Sequence, residues 1–340
     1  MQVTRWGVIG PGNIANDFAN DLKLIASPQQ IIAVTGHTPE QTKKFADKFD
    51  VPHSYTDFND FIKNKKPDVV YIATPHPQHF DQALHCLENK IAVLCEKPMA
   101  LNTKQTQKLI NASKKHNTFL MEGMWLRFLP VMQKVLSLIT ENKIGDIISV
   151  KASIGYKAPD DPSSRYFDPA LGGGSLLDLG IYPIFLACLF LGKPNTIKAV
   201  AALTEKNIDE ACSVLLHYNG GQRAALESSL ISQTDLPAEI AGEKGTIKIL
   251  HPWFEKSKGI ELSLYEKEKK IYLCDWEGHG LQYEIQEVLH CLRSNKIESD
   301  MLPHDLSLTI VEIMDEIRRQ INVTYDMYEN LSDLIPVDEK

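Results

Sequence analysis

Three side chains in this 340-residue sequence have the types that an alcohol-oxidising centre needs: Lys97, Tyr182 and Asp178. Oxidation of an alcohol sends a hydride to an acceptor and a proton to a base beside the reacting oxygen. A free tyrosine titrates near pH ~10, too high for a base at neutral pH, and a nearby ammonium lowers that value by favouring the phenolate. Lys97 and Tyr182 thus form a candidate pair in which Tyr182 exchanges the proton while Lys97 holds the substrate oxygen. Asp178 lies four residues before Tyr182, on the same helical face, where it can orient substrate hydroxyls or the lysine. Bland readings stand beside these: a tyrosine in an apolar helix is commonly core with its hydroxyl satisfied, and Asp178 could be a helix-start residue after Gly172–Ser175.

The hydride acceptor is suggested at the other end of the chain. Gly10-Pro11-Gly12-Asn13-Ile14-Ala15 follows the apolar run Trp6-Gly7-Val8-Ile9 and precedes a helix expected over 14–25. Gly10 permits a tight strand-to-helix turn, Gly12 lets backbone approach a pyrophosphate, and Ala15 lets the helix pack closely. The N–H groups of Asn13 and Ile14, at the positive end of that helix, would meet the phosphates. NAD sites usually carry an Asp or Glu at the tip of the second strand, but this chain reads Val34-Thr35-Gly36-His37-Thr38-Pro39. His37 and Thr38 could meet a 2′-phosphate, which favours NADP; Glu40, reaching back, would leave NAD possible. The strand-end segment Thr74-Pro75-His76-Pro77-Gln78-His79 is expected to flank the cofactor, with His76 near the nicotinamide ribose or the substrate. His76, His79 and His85 lack the partners of a zinc set, so no metal is expected.

The elements that must position these residues follow from periodicity. Apolar runs at 6–9, 31–35, 69–74, 91–95 and 119–121 alternate with helix-like segments such as 39–49 and 80–89, the pattern of a parallel sheet covered on both faces. From about Gly145 the texture changes to successive strands at 147–156, 196–203, 211–218, 222–232, 246–250, 260–265 and 270–274, with helices at 175–191, 280–294 and 306–321. The expected architecture is an α/β N-terminal Rossmann domain over 1–123, then an α+β domain over 124–340 with a large, mostly antiparallel open sheet. Those helices cover one sheet face, so the other is expected to face solvent or a second copy of the chain, as a homodimer or a higher oligomer.

Composition narrows the class. With 43% hydrophobic residues, a net charge of −8 and a pI near 5.8, the chain can fill two cores and carries no basic block suited to nucleic acid; Lys63, Lys65 and Lys66 are its densest early cluster. The apolar stretch 181–191 is too short to cross a bilayer and reads as a buried helix. Met1–Arg5 lacks the layout of a secretory signal, and six cysteines without a CxxC pair suit free thiols in a reducing cytoplasm.

The sequence resembles the glucose-fructose oxidoreductase, inositol dehydrogenase and rhizopine-catabolism (Gfo/Idh/MocA) family of oxidoreductases. The resemblance rests on the N-terminal GxGxxA, on Thr74–His79, on Glu96-Lys97-Pro98, on Gly172–Pro183 and on Gly242-Glu243-Lys244-Gly245, and so covers most of the chain. Leu94–Met99, Trp125-Leu126-Arg127-Phe128, and a Tyr rather than His at 182 resemble the dimeric dihydrodiol and D-xylose dehydrogenase branch. It implies the roles already given to Lys97 and Tyr182, and a face-to-face dimer. Glu96, Trp125 and Arg127 are candidates to border the cofactor, and Trp125, Phe128, Tyr156 and Tyr166 to line the substrate cleft; specificity is expected from the loop 159–164 and the residues around it. The activity read from all this is hydride transfer between nicotinamide, NADP preferred, and a small polyol, aldose or vicinal trans-diol. An NAD-dependent inositol or sugar dehydrogenase and a non-catalytic cofactor-binding regulator are the alternatives.

Overall fold

A computed structural model describes residues 3–64, 66–159, 161 and 164–329; Lys65 and, in the loop 159–164, Asp160, Pro162 and Ser163 lie outside the described residues. The chain forms two compact units, one of residues 1–101, 105–125 and 277–307, the other of residues 102–104, 126–276 and 308–340.

The first unit begins β1 (Thr4–Ile9), α1 (Asn13–Leu22), β2 (Gln29–Thr35), α2 (Pro39–Phe49), β3 (Ser54–Tyr55), α3 (Phe58–Asn64), β4 (Val69–Ile72), α4 (His76–Glu88), β5 (Ala92–Glu96), α5 (Thr103–His116) and β6 (Leu120–Gly123). The six strands make one parallel sheet in the order β3-β2-β1-β4-β5-β6. Strand order reverses at β1, so the carboxyl ends of β1 and β4 flank the point where doubly wound sheets bind ligands. Strands β4 and β5 are continuous runs of buried residues because helices cover both faces. Local chemistry starts and stops α2: Thr38 Oγ1 accepts from Gln41 N–H, Pro39 takes the first turn, and Asp50 ends the helix in the left-handed region.

The second unit holds α6 (Pro130–Thr140), β7 (Ile147–Gly155), α7 (Ile181–Leu191), β8 (Thr196–Leu203), β9 (Asp209–His217), β10 (Arg223–Ser229), β11 (Ala238–Gly242), β12 (Gly245–Ile249), β13 (Gly259–Leu264) and β14 (Lys270–Leu273). Its eight strands run β14-β13-β12-β11-β7-β10-β9-β8, antiparallel except where β7 meets β10. The expected fold class is therefore present in both units. The chain then forms α8 (Leu281–Arg293) and α9 (His304–Ile321).

Two expectations need correction. Residues 277–307 belong to the first unit rather than to a continuous second domain: the Asp21 carboxylate of α1 accepts from the backbone N–H groups of His279, Gly280 and Leu281, capping α8 from another helix, and α8 packs on α1. Helix α4 begins at His76, not Phe80, because a proline in a first helical turn gives up only an N–H that has no intrahelical partner. The apolar stretch 181–191 is α7, a buried helix as expected; with the turns before it the segment Pro169–Leu191 is long and apolar enough to cross a membrane, but 83% of its most apolar window is buried in the fold. Burial against β7 and β10 accounts for that apolarity.

Candidate active site

The carboxyl edge of the parallel sheet gathers the first group of candidates. Gly10 has φ +89°, and a Cβ there would lie 2.8 Å from the Ala73 carbonyl carbon and oxygen at the end of β4. Only glycine fits. Gly12 has ordinary φ, and a Cβ on it would meet nothing within 4 Å. Among the described residues no side chain caps the first turn of α1, where Asn13 and Ile14 lie. An open backbone at the positive end of a helix fits a dinucleotide pyrophosphate, and the cofactor supplies the hydride acceptor when bound. Gly36 abuts Pro11, whose Cδ would be 2.6 Å from a Cβ at 36, so its small size serves packing between two loops. His37 is exposed beyond it, and Thr38 accepts from Gln41 N–H.

His79 is fully buried and bridges two backbone carbonyls, Thr74 O at 2.7 Å and Pro98 O at 2.8 Å, tying the end of β4 to the turn after β5. Burial pushes its pKa down. His76 is buried with its ring 5.9 Å from that of His79. Thr74 Oγ1 donates to Gln82 Oε1 at 2.7 Å, and Pro75 immediately precedes α4.

Lys97 stands half-buried at the carboxyl end of β5, followed by cis-Pro98. Acidic groups surround it. Tyr71 Oη donates to Glu96 Oε1 at 2.5 Å, while Glu122 accepts from Met99 N–H at 2.9 Å and Ser307 Oγ at 2.7 Å. Desolvation pushes the carboxyls of Glu96 and Glu122 up; the Tyr71 and Ser307 hydrogen bonds and the charge of Lys97 pull them back. Glu284 of α8 is fully buried, neither carboxyl oxygen has a hydrogen-bond partner among the described residues, and desolvation raises its pKa well above the usual range, with repulsion from Glu96 and Asp21 adding to it. Trp125 Nε1 is also buried without a partner among the described residues, a donor suited to a bound polar group.

In the second unit, Asp178 lies inside a π-helical turn, Leu176–Gly180, and Tyr182 just beyond it in α7. Such turns interrupt helices often at functional sites. Both residues are buried. The Tyr182 ring packs 5.9 Å from that of Phe254. Arg165 Nη1 reaches Asp178 Oδ1 at 3.5 Å, its guanidinium lies 4.3 Å above the Tyr166 ring, and the Tyr156 and Tyr166 rings are 5.6 Å apart. Tyr156, Arg165, Tyr166 and Asp178 are thus one cluster, as a polar, aromatic-walled site for a hydroxylated substrate would need. Arg127 is half-buried and Phe128 is buried. Among the described residues no group of three or more His, Cys, Asp or Glu could hold a metal ion.

Sequence reasoning missed Tyr71, Glu122, Glu284 and Asp209. Tyr71 and Glu122 sit in buried strands and Glu284 and Asp209 in unremarkable polar positions, so no local signal marked them.

Comparison with known proteins agrees with this fold. Residues 4–124 match the Gfo/Idh/MocA oxidoreductase family with its NAD-binding Rossmann fold, and residues 132–248 match the C-terminal domain of that family. The chain is 35% identical to trans-1,2-dihydrobenzene-1,2-diol dehydrogenase of Xenopus tropicalis, over 95% of this chain and 99% of that one, and 33% identical to the Homo sapiens protein of the same name, over 94% and 98%. Among solved structures, an aldose-aldose oxidoreductase from Caulobacter crescentus complexed with glycerol superposes with a TM-score of 0.82 at 23% identity, covering 94% of this chain and 98% of the other. A levoglucosan dehydrogenase in complex with NADH and levoglucosan gives 0.84 at 18%, with the same coverage. The chain belongs to the Gfo/Idh/MocA family and is a nicotinamide-dependent oxidoreductase.

Proposed function

We propose that the protein is a dehydrogenase or reductase that prefers NADP and acts on a small polyol, aldose or vicinal trans-diol. The observation that carries this reading is Lys97 at the carboxyl end of β5, on the same sheet edge as the open Gly10–Gly12 turn. Relatives named for a trans-dihydrodiol support the substrate class. In this reading Lys97 holds the reacting oxygen and stabilises the phenolate of Tyr182, Tyr182 exchanges the proton, and Asp178 with Arg165 orients the remaining hydroxyls. His79 holds Thr74 and Pro98, the backbone on either side of the cofactor's place. The absence of a carboxylate from Gly36 to Pro39, with His37 exposed there, supports NADP; solved relatives carry NADH in one case and NADP in another.

We also propose a homodimer through the uncovered face of the eight-stranded sheet, where Val200 is 71% and Leu215 62% exposed, and a reducing cytoplasm, which suits six free cysteines, five of them buried. The test is cofactor reduction with benzene trans-1,2-dihydrodiol, D-xylose, D-glucose and inositol against NADP+ and NAD+. Turnover of a diol or aldose with kcat/KM higher for NADP+ is expected. Cofactor binding without turnover on all four would leave a regulator, and higher kcat/KM with NAD+ would overturn the cofactor assignment.

A further inference from the structure

The opening turn of the helix that bears Asp178 and Tyr182 is held from two sides by residues far away in the chain. On one side stands Asp209, the fully buried first residue of β9. Its Oδ2 accepts from Leu176 N–H at 2.7 Å and from Ser175 Oγ at 2.8 Å, and Ser175 Oγ lies 2.9 Å from Ser228 Oγ of β10. Gly174 is at φ +125°, and a Cβ there would sit 2.4 Å from Asp209 Oδ1. The turn is therefore closed down onto that carboxylate, and no other residue type allows it to be.

On the other side lies the segment after α9. Tyr325 Oη donates to Gly173 O at 2.6 Å, and Tyr328 Oη donates to Ala170 O at 2.8 Å. The segment is itself anchored. Arg318 of α9, fully buried, bonds Asp315 and Glu329, and its guanidinium lies 5.3 Å above the Tyr325 ring. Asn102 Nδ2 donates to Glu329 Oε2 at 2.7 Å, and Thr103 N–H to Asp315 at 2.9 Å.

We propose that Asp209 and the C-terminal strap Tyr325–Glu329 are positioning residues for the reaction, setting where the π-helical turn places Asp178 and Tyr182. A packed core alone would need apolar contacts at this turn, not a buried carboxylate oxygen and two phenol donors aimed at the backbone of Leu176, Gly173 and Ala170. A shift of about 1 Å in a reacting group costs on the order of 100-fold in rate, so loss of either hold is read in turnover before it is read in cofactor binding, which the first unit performs. The inference rests on the role given to Tyr182 above, and the test separates the two.

Tyr325→Phe, Asp209→Ala and Asp209→Asn are compared with Tyr182→Phe for kcat, NADP+ Kd, thermal midpoint and hydrogen exchange of the amides from Gly173 to Tyr182. Tyr325→Phe removes one oxygen and keeps the ring. It is expected to lower kcat roughly 10- to 100-fold, leave NADP+ Kd within about twofold and speed exchange in that segment. Asp209→Asn keeps an acceptor for Leu176 and is expected to restore most of the kcat lost in Asp209→Ala. If Asp209→Ala does not fold, Tyr325→Phe decides. Faster exchange with full turnover in Tyr182→Phe would uphold the positioning device and remove the catalytic reading. Unchanged exchange and kcat in Tyr325→Phe would overturn the inference.

Discussion

Gly10 and Gly12 are two residues apart in one motif, yet the structure gives them opposite energetic roles. Alanine at position 10 must adopt φ +89° and bring its Cβ to 2.8 Å from the Ala73 carbonyl and 2.9 Å from Thr74 Cγ2. The strained backbone costs about 1–3 kcal/mol and the overpacking a further ~1–3 kcal/mol, so Gly10→Ala is expected to lose about 2–6 kcal/mol of stability. At position 12, φ is −81° and a Cβ meets nothing. Gly12→Ala should leave stability unchanged or raise it by about 0.4–1 kcal/mol, by restricting the unfolded chain. The same methyl group would occupy the space a pyrophosphate needs, so NADP+ affinity should fall at least about tenfold, or ~1.4 kcal/mol. Urea unfolding and fluorescence titration with NADP+ measure the two effects on the same samples. Equal destabilisation by both substitutions, or wild-type NADP+ affinity in Gly12→Ala, would refute this assignment of the loop.

Asp21→Ala should cost about 2–4 kcal/mol, since it leaves the His279 and Leu281 N–H groups without their acceptor and Gly280 N–H with Gln282 Oε1 alone; urea unfolding checks it, and a change under about 1 kcal/mol would contradict the cap. Asp209 is pushed up to about 6 by burial, so the folded state holds its proton more tightly than the unfolded chain, which ionises near ~3.9. Its contribution to stability is therefore present in acid and is lost as pH rises from ~4 to ~6, by up to about 3 kcal/mol. Asp209→Asn should flatten that part of the profile, whereas an unchanged slope between the two would refute the assignment. Leu215→Glu on the uncovered sheet face should convert a dimer to monomer in light scattering at micromolar concentration, and a wild-type monomer would remove the dimer outright.

What was legible in the sequence was what short-range chemistry writes. The turn at Gly10–Ala15 shows because its requirements fall within six consecutive residues, and α2 shows because Thr38, Pro39 and Asp50 mark both its ends. The strands of the second sheet show where polar and apolar residues alternate, as in β9 and β10. Strand β11, Ala238–Gly242, escaped notice because it is short and rich in small residues, and β3 is two residues long. Helix α5 is mostly polar and lacks a strong apolar stripe. The segment 277–307 was assigned to the wrong unit because Asp21, which captures it, is some 258 positions away. The supports of the candidate site failed to show for the same reason: Glu122 and Ser307, or Tyr325 and Gly173, meet only in the folded chain.

The account turns on Lys97 and Tyr182 acting in the chemical step, and single-turnover reduction of bound NADP+ by benzene trans-1,2-dihydrodiol tests it most directly. Lys97→Met and Tyr182→Phe are each expected to lower that rate by about 10²–10⁴-fold, with NADP+ affinity within about threefold of wild type for Tyr182→Phe. Wild-type single-turnover rates in both variants would contradict the account.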